Sequence, residues 1–262
     1  MRKIILLIIT ILTTLFHLQA QEIQPNVKKL SYLAYYNLGL IWINAGQVEF
    51  KLNHSNLYPN ALHLKAHGYT QPSWDWIFKV RDTLDSHYNS ETFVPYKFER
   101  LAHEGNYHKT FKYKFNYQDS LIYSDVHRQG RVKEQDTIKL QSNTYDMLSV
   151  AWMAREIDFS KLKTNHQIPI SLLIDRKIHH LYIRYHGVQT EKIANKKREC
   201  YVFSPLLVKG EMFEEGEGMK VYISKDKYRI PLMIEAKIIV GSVKAIINFE
   251  DSDLSPISAT NN

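Results

Sequence analysis

The chain has 262 residues, of which 44% are hydrophobic, 23% charged and 12% aromatic, with 10 Gly, 8 Pro and one Cys. This composition excludes collagen-like, low-complexity and wholly disordered chains. One Cys excludes an internal disulfide framework, and a formal charge of +7 is modest for this length.

The first element is an address. Arg2 and Lys3 precede an apolar stretch over residues 4–16, softened by Thr10, Thr13 and Thr14, and Ala20 precedes polar Gln21 and Glu22. A basic start, a short apolar run and a small residue are the parts of a secretory signal peptide. About 13 apolar-dominated residues are too few for a helix that needs roughly 20 to span a bilayer. The expectation is cleavage near Ala20 and export to the periplasm or cell envelope. No Cys follows the apolar run, which argues against a lipid-anchored lipoprotein.

Period-two alternation then dominates. Val48, Phe50 and Leu52 alternate with Gln47, Glu49 and Lys51, and Leu62, Leu64 and Ala66 with His63, Lys65 and His67. Trp76, Phe78 and Val80 alternate with Lys79 and Arg81, and Phe111, Tyr113, Phe115 and Tyr117 with Lys112, Lys114 and Asn116. Each pattern predicts a strand with one apolar face. Short connections at Pro59, Pro72 and Gly105-Asn106 predict hairpins and antiparallel pairing.

The spacing of Leu148, Ala151, Trp152 and Arg155 predicts one helix from about Tyr145. Asn143 or Thr144 is positioned to cap it, Asp146 lies in its first turn, and Leu148, Ala151 and Trp152 form the face expected to pack on the sheet. Strands follow at residues 168–175, 178–185, 187–193, 200–203 and 219–224. Residues 210–218, with four Glu, read as an exposed acidic loop. Leu232, Ile234, Ala236, Ile238 and Val240 lead through a Gly241-Ser242 turn to Val243, Ala245, Ile247 and Phe249, a closing hairpin. The organisation expected is one antiparallel-β domain over residues 24–250 and a flexible polar tail over 251–262.

Chemical motifs are sparse. There are 12 His, but no HExxH and no Cys pair. His63 and His67 share a strand face about 13 Å apart, too far for one ion. His179 and His180 point to opposite faces. No Gly-x-Ser-x-Gly elbow occurs, and Cys200, between apolar neighbours, reads as a buried small hydrophobe. No metal, cofactor or catalytic residue is expected. Lys192, Lys196, Lys197 and Arg198 form a basic cluster; behind a signal peptide it suits a membrane surface or acidic glycan rather than nucleic acid.

Four stretches together resemble the exported bacterial proteins of domain-of-unknown-function family 3108. The first runs over residues 33–50, with Tyr35, Gly39, Ile41, Trp42 and Asn44-Ala45-Gly46. The second is Val94-Pro95-Tyr96-Lys97-Phe98, after Asp82, Leu84 and Asp85. In the third, Asp146, Ser149, Trp152 and Arg155 look like the family's Asp-x-x-Ser helix ending in Arg. In the fourth, Tyr222, Ser224, Asp226 and Arg229 lead to Pro231 and resemble the family's Trp-x-Ser-Asp-Asp segment. Here Tyr222 stands where Trp is usual, and Lys225 replaces the first Asp.

The resemblance implies a mainly β fold: a large curved antiparallel sheet, or partial β-barrel, around one central helix, similar to the lipoprotein-carrier fold. It also makes Asp146, Ser149, Trp152, Arg155, Tyr222, Ser224, Asp226 and Arg229 the candidate ligand-binding residues. The family has no established activity. The function expected is non-enzymatic binding of an apolar or amphipathic, lipid-like ligand. Alternatives are a glycan-binding or surface-assembly module using exposed Tyr, Trp74 and Trp76, and a hydrolase with an unrecognised site.

Overall fold

A computed structural model describes residues 27–257, apart from 39–40, 77–78, 210–213 and 240. The expected signal segment therefore lies outside the described residues. The first eight strands are β1 (Val27–Leu38), β2 (Ile41–His54), β3 (Ala61–Thr70), β4 (Arg81–Asn89), β5 (Pro95–Glu104), β6 (Tyr107–Asn116), β7 (Leu121–Arg128) and β8 (Glu134–Lys139). Each pairs antiparallel with the next. Then come β9 (Thr144–Tyr145), the helix α1 (Met147–Glu156), β10 (Gln167–Ile174), β11 (Lys177–Ile193), β12 (Lys196–Pro205), β13 (Met219–Ser224), β14 (Pro231–Lys237), β15 (Ser242–Ile247) and β16 (Asp253–Pro256).

All sixteen lie in one sheet, because β1 also pairs with β15. The order runs from β8 back to β1, then from β15 back to β9, with β16 beside the start of β1. The two edge strands, β8 and β9, are thus consecutive in sequence, with only residues 140–143 between them. A sheet whose opposite edges are joined by so short a segment must curl on itself. Side chains span the same seam: Arg176, in the β10–β11 turn, pairs with Glu134 of β8 at 2.7 Å, and its backbone N–H donates to the Tyr113 hydroxyl on β6 at 3.1 Å. The fold is the expected partial barrel around one helix.

Alternation explains most of the core. Leu62, Leu64 and Ala66 of β3, Phe98 of β5 and Phe111, Tyr113 and Phe115 of β6 are buried with Leu148 and Trp152 of α1. Strands β12 to β14 are apolar on both faces. Cys200, Val202, Tyr222 and Met233 join this first cluster, whereas Tyr201, Phe203, Val221 and Ile223 pack with Phe159 and Ala154 in a second. Such two-faced burial replaces alternation by continuous apolar runs. Gly46 has a steric reason: a Cβ there would overlap the Tyr69 carbonyl oxygen, where β2 bulges opposite β1 between Ala34 and Tyr35. The Asn44-Ala45-Gly46 stretch is this bulge.

Several expectations need correction. The alternation at Trp76, Phe78 and Val80 is no strand: a 3-10 turn occupies Pro72–Trp74, Trp76 is exposed, Phe78 lies outside the described residues, and β4 starts at Arg81. Pro72 starts that turn because its fixed φ and missing N–H suit a first helical position. The helix begins at Met147, so Asp146 is its cap rather than Asn143 or Thr144, and Ala151 is exposed. Residues 178–185 and 187–193 are one strand, β11, whose register shifts between Tyr185 and Gly187. The closing turn spans residues 238–241 instead of Gly241-Ser242 alone. The acidic loop is anchored at its end, since Glu217 accepts hydrogen bonds from Arg184 and Tyr182, both at 2.7 Å. Within the described part of the expected tail, Asp251 pairs with Lys29 at 2.9 Å and β16 adds to the sheet, while residues 258–262 lie outside the described residues.

Candidate functional site

The helix is fastened to the barrel at both ends, and the candidate residues are the fasteners. Asp146 is fully buried. Its Oδ1 accepts from the backbone N–H groups of Leu148 (2.7 Å) and Ser149 (2.8 Å), and the Ser149 hydroxyl accepts from the Asp146 N–H at 3.0 Å. This is a capping box with Ser in the third position. The other carboxylate oxygen, Oδ2, accepts from the Ser86 hydroxyl of β4 at 2.6 Å. Burial raises the Asp146 carboxyl to about 6, against the downward pull of these three donors.

At the other end, Arg155 is 1% exposed. Its Nε donates to the Arg229 carbonyl (3.1 Å) and its Nη2 to the Tyr228 carbonyl (2.9 Å). Arg229 answers by donating to the carbonyls of Arg155 and Ile157. The β13–β14 turn that receives this clamp is shaped by Ser224 and Asp226. Asp226 Oδ1 accepts from the Ser224 hydroxyl (2.8 Å) and from the N–H groups of Tyr228 (2.8 Å) and Arg229 (3.1 Å), while Ser224 Oγ accepts from the Ile230 N–H at 2.9 Å. Tyr222, two residues before Ser224 on β13, donates to Glu235 of β14 at 3.2 Å. These bonds give Ser224 and Asp226 a local role. Asp226→Ala is expected to lose about 1–2 kcal/mol and Asp226→Asn less than about 0.5, because Asn still accepts at Oδ1. Equal losses in reversible unfolding would remove the turn assignment.

Three polar atoms facing this interior have no hydrogen-bond partner among the described residues: Arg155 Nη1, Trp152 Nε1 and Tyr88 OH. They belong together. The Arg155 guanidinium lies 5.0 Å from the centre of the Trp152 ring, and its charge acts on the Tyr88 and Tyr32 hydroxyls, which burial pushes well above the usual range. Burial also lowers the Arg155 pKa, while the group stays a cation. Trp152 itself packs on Phe50 at 5.8 Å. The interior therefore presents one cation and three unsatisfied donors inside an aromatic shell. Tyr88 was not legible from sequence, since nothing local distinguishes it from other strand tyrosines.

The outer face holds a second constellation. His63 and His87 stand opposite each other on β3 and β4, stacked at 4.1 Å, and the Asp85 carboxylate meets both, at 2.9 Å from His63 Nε2 and 3.5 Å from His87 Nε2. Ser55 Oγ lies 2.9 Å from His87 Nδ1. The chain Ser55–His87–Asp85 has the members of a hydrolytic triad, but the Ser55 oxygen already accepts from the N–H groups of Leu57 and Tyr58, both at 3.1 Å. With both lone pairs used to close the β2–β3 turn, Ser55 has no free pair for attack. His67 stays apart from this cluster, as its spacing predicts. The pairing that matters is across strands.

Next to this cluster runs an open groove of about 900 Å³, lined among others by Tyr58, Lys97, Lys112, Lys114, Tyr123 and Asp125. Trp74 and Trp76 do not line it; they lie in the β3–β4 connection, at the opposite end of the strands. In the basic cluster, Lys192, Lys196 and Lys197 are exposed, whereas Arg198 is held over the Phe249 ring at 4.6 Å. Cys200 is buried, and burial pushes its thiol up to about 11, as for a packing residue.

No helix among the described residues is long and apolar enough to cross a membrane. No curated protein matches the chain. Among solved structures it is similar to a crystal structure of a β-barrel-like protein of domain of unknown function DUF1849 from Brucella abortus. The TM-score is 0.57 and the identity 8%, covering 86% of this chain and 97% of that one. That likeness shows the fold. The model of the family described as protein of unknown function (DUF3108) matches residues 31–248, the span from within β1 to the end of β15 with the helix and both fasteners, and the chain belongs to that family.

Proposed function

We propose that this chain is an exported, non-enzymatic binding protein whose barrel interior takes an amphipathic, lipid-like ligand with a hydrogen-bond-accepting head group. The observation that carries this reading is the set of unpartnered donors on Arg155, Trp152 and Tyr88. A buried donor without a partner costs about 1–3 kcal/mol, so native proteins contain few of them. A carboxylate or phosphate oxygen satisfies all three donors and neutralises the Arg155 charge, and the surrounding aromatic shell suits an acyl chain. Asp146, Ser149, Ser224, Asp226 and Arg229 hold the helix that carries the cation. Exposed Lys192, Lys196 and Lys197 offer a contact for an anionic membrane surface.

Native mass spectrometry of the protein gently extracted from the envelope tests the reading. The expected result is a chain starting at or near Gln21 with a co-bound acyl species. Tyr88→Phe removes one unsatisfied donor without changing shape. Stripped of ligand, this variant is expected to be as stable as the parent or more so, yet to retain less ligand. Ligand-free parent protein, or equal retention by both proteins, would overturn the proposal.

The outer groove favours a second reading. Tyr58 and Tyr123 beside Lys97, Lys112 and Lys114 suit an acidic glycan.

A further inference from the structure

We propose that His63, Asp85 and His87 form a binding site for a divalent first-row transition-metal ion, with Zn²⁺ as the natural probe. This site is independent of the interior reading. It lies on the outer face of β3 and β4, whereas the helix packs on the inner one.

The register builds it. His63 and His87 are directly opposed, and Asp85 precedes His87 by two residues, so all three side chains emerge on one face. Their ligand atoms lie within 4.8 Å of one another. Both imidazoles turn Nε2 toward a single carboxylate, the arrangement that remains when ligands bond to each other instead of to an ion. The rings are parallel, with 6° between their planes, so a tilt of one ring converges the two nitrogen lone pairs. Two imidazoles and one carboxylate are a donor set for Zn²⁺ and its neighbours, not for Mg²⁺ or Ca²⁺, which take oxygen.

The surroundings fit a ligand role. His87 is buried, and its ring is held between Ser55 and Asp85. Ser55 is pinned by two backbone donors and contacts His87 Nδ1. On metal loading the ring proton sits on Nδ1, leaving Nε2 bare, and Ser55 Oγ accepts that proton in place of one of its two backbone N–H groups. Three protein ligands leave coordination positions for water or a bound group. Tyr58 and Lys97 connect the site to the neighbouring groove: Tyr58 packs at 5.9 Å from the His87 ring, and Lys97 is the cross-strand partner of His87 on β5. Lys65 and Lys97 oppose a cation here, and Glu99, across from Asp85, offsets one of them.

The test is calorimetric titration of chelator-treated full chain with Zn²⁺, with proton release measured alongside. One ion per chain is expected, with affinity falling as pH drops, because protons compete with the ion for the two imidazoles. His63→Gln and His87→Gln are each expected to weaken binding on the order of 100-fold or more, and Ser55→Ala about 10- to 100-fold. His179→Gln should bind as the parent does, and excess Mg²⁺ should not compete. Circular dichroism and unfolding of each variant exclude misfolding as the cause. No saturable binding by the parent, parent-like affinity in His63→Gln, or equal loss in His179→Gln would each overturn the proposal.

Discussion

Trp152→Ala is expected to cost 3–5 kcal/mol in reversible denaturant unfolding, the range for a large core aromatic. The indole is 3% exposed and meets three groups: Phe50 on β2 at 5.8 Å, the Arg155 guanidinium at 5.0 Å, and Leu148 on the preceding turn of the same helix face. Its loss opens a cavity that the barrel wall, held by its own ladder, has little freedom to fill. It also removes the π-face beside a buried cation that keeps two carbonyl partners among the described residues. Trp152→Phe separates packing from polarity, since it retains a ring and deletes the unpartnered Nε1. A loss within about 1.5 kcal/mol is expected for this swap. A loss below about 1 kcal/mol for Trp152→Ala would mean that the helix is not docked through this face.

What the sequence made legible follows from distance along the chain. Period-two alternation depends on neighbours, so β2, β3 and β6 were readable, and short polar connections marked their antiparallel pairing. Where burial is two-sided, as in β12 and β13, alternation vanishes, and only runs such as 200–203 and 219–224 could be marked. The segment at Trp76 alternates in composition, but Pro72 and the Thr70–Asp75–Arg81 hydrogen bonds shape it as a turn. The helix was legible from its spacing. Its cap was misplaced because Asp146 takes an extended backbone, and its side chain is fixed by Ser86, sixty residues earlier. The motif positions 146, 149, 155, 224, 226 and 229 were found by resemblance. Their use as fasteners became visible only when the fold brought Arg155 to the carbonyls of Tyr228 and Arg229. The His63–His87 pair stayed hidden because cross-strand register is a property of the sheet.

Stability is expected to fall between pH 4 and pH 6 through Asp146 alone. Burial outweighs the three hydrogen bonds to its carboxylate, so the folded chain holds this proton up to about pH 6, whereas an unfolded chain releases it near 3.9. Between those values the folded state binds more protons than the unfolded one, so stability declines as pH rises. The contribution is full below about pH 4 and lost by about pH 6. It amounts to about 3 kcal/mol for a difference near two units. Other carboxylates pull the opposite way: Asp158 is lowered to about 2 by its hydrogen bonds to Lys161 and Ser160, and adds stability as pH rises from the acid side. The readable quantity is therefore parent minus Asp146→Asn, measured by denaturant unfolding at each pH. Asn keeps the acceptor for Leu148 and Ser149, and its amide donates to the Ser86 hydroxyl, so the variant preserves the cap while removing the titration. The difference curve should descend through pH 4–6 and be level on either side, and a flat curve would show that the Asp146 carboxylate is solvated in the folded chain. Asp146→Ala, which removes the cap and strands the Ser86 hydroxyl, should lose a further 1–3 kcal/mol or about that at every pH.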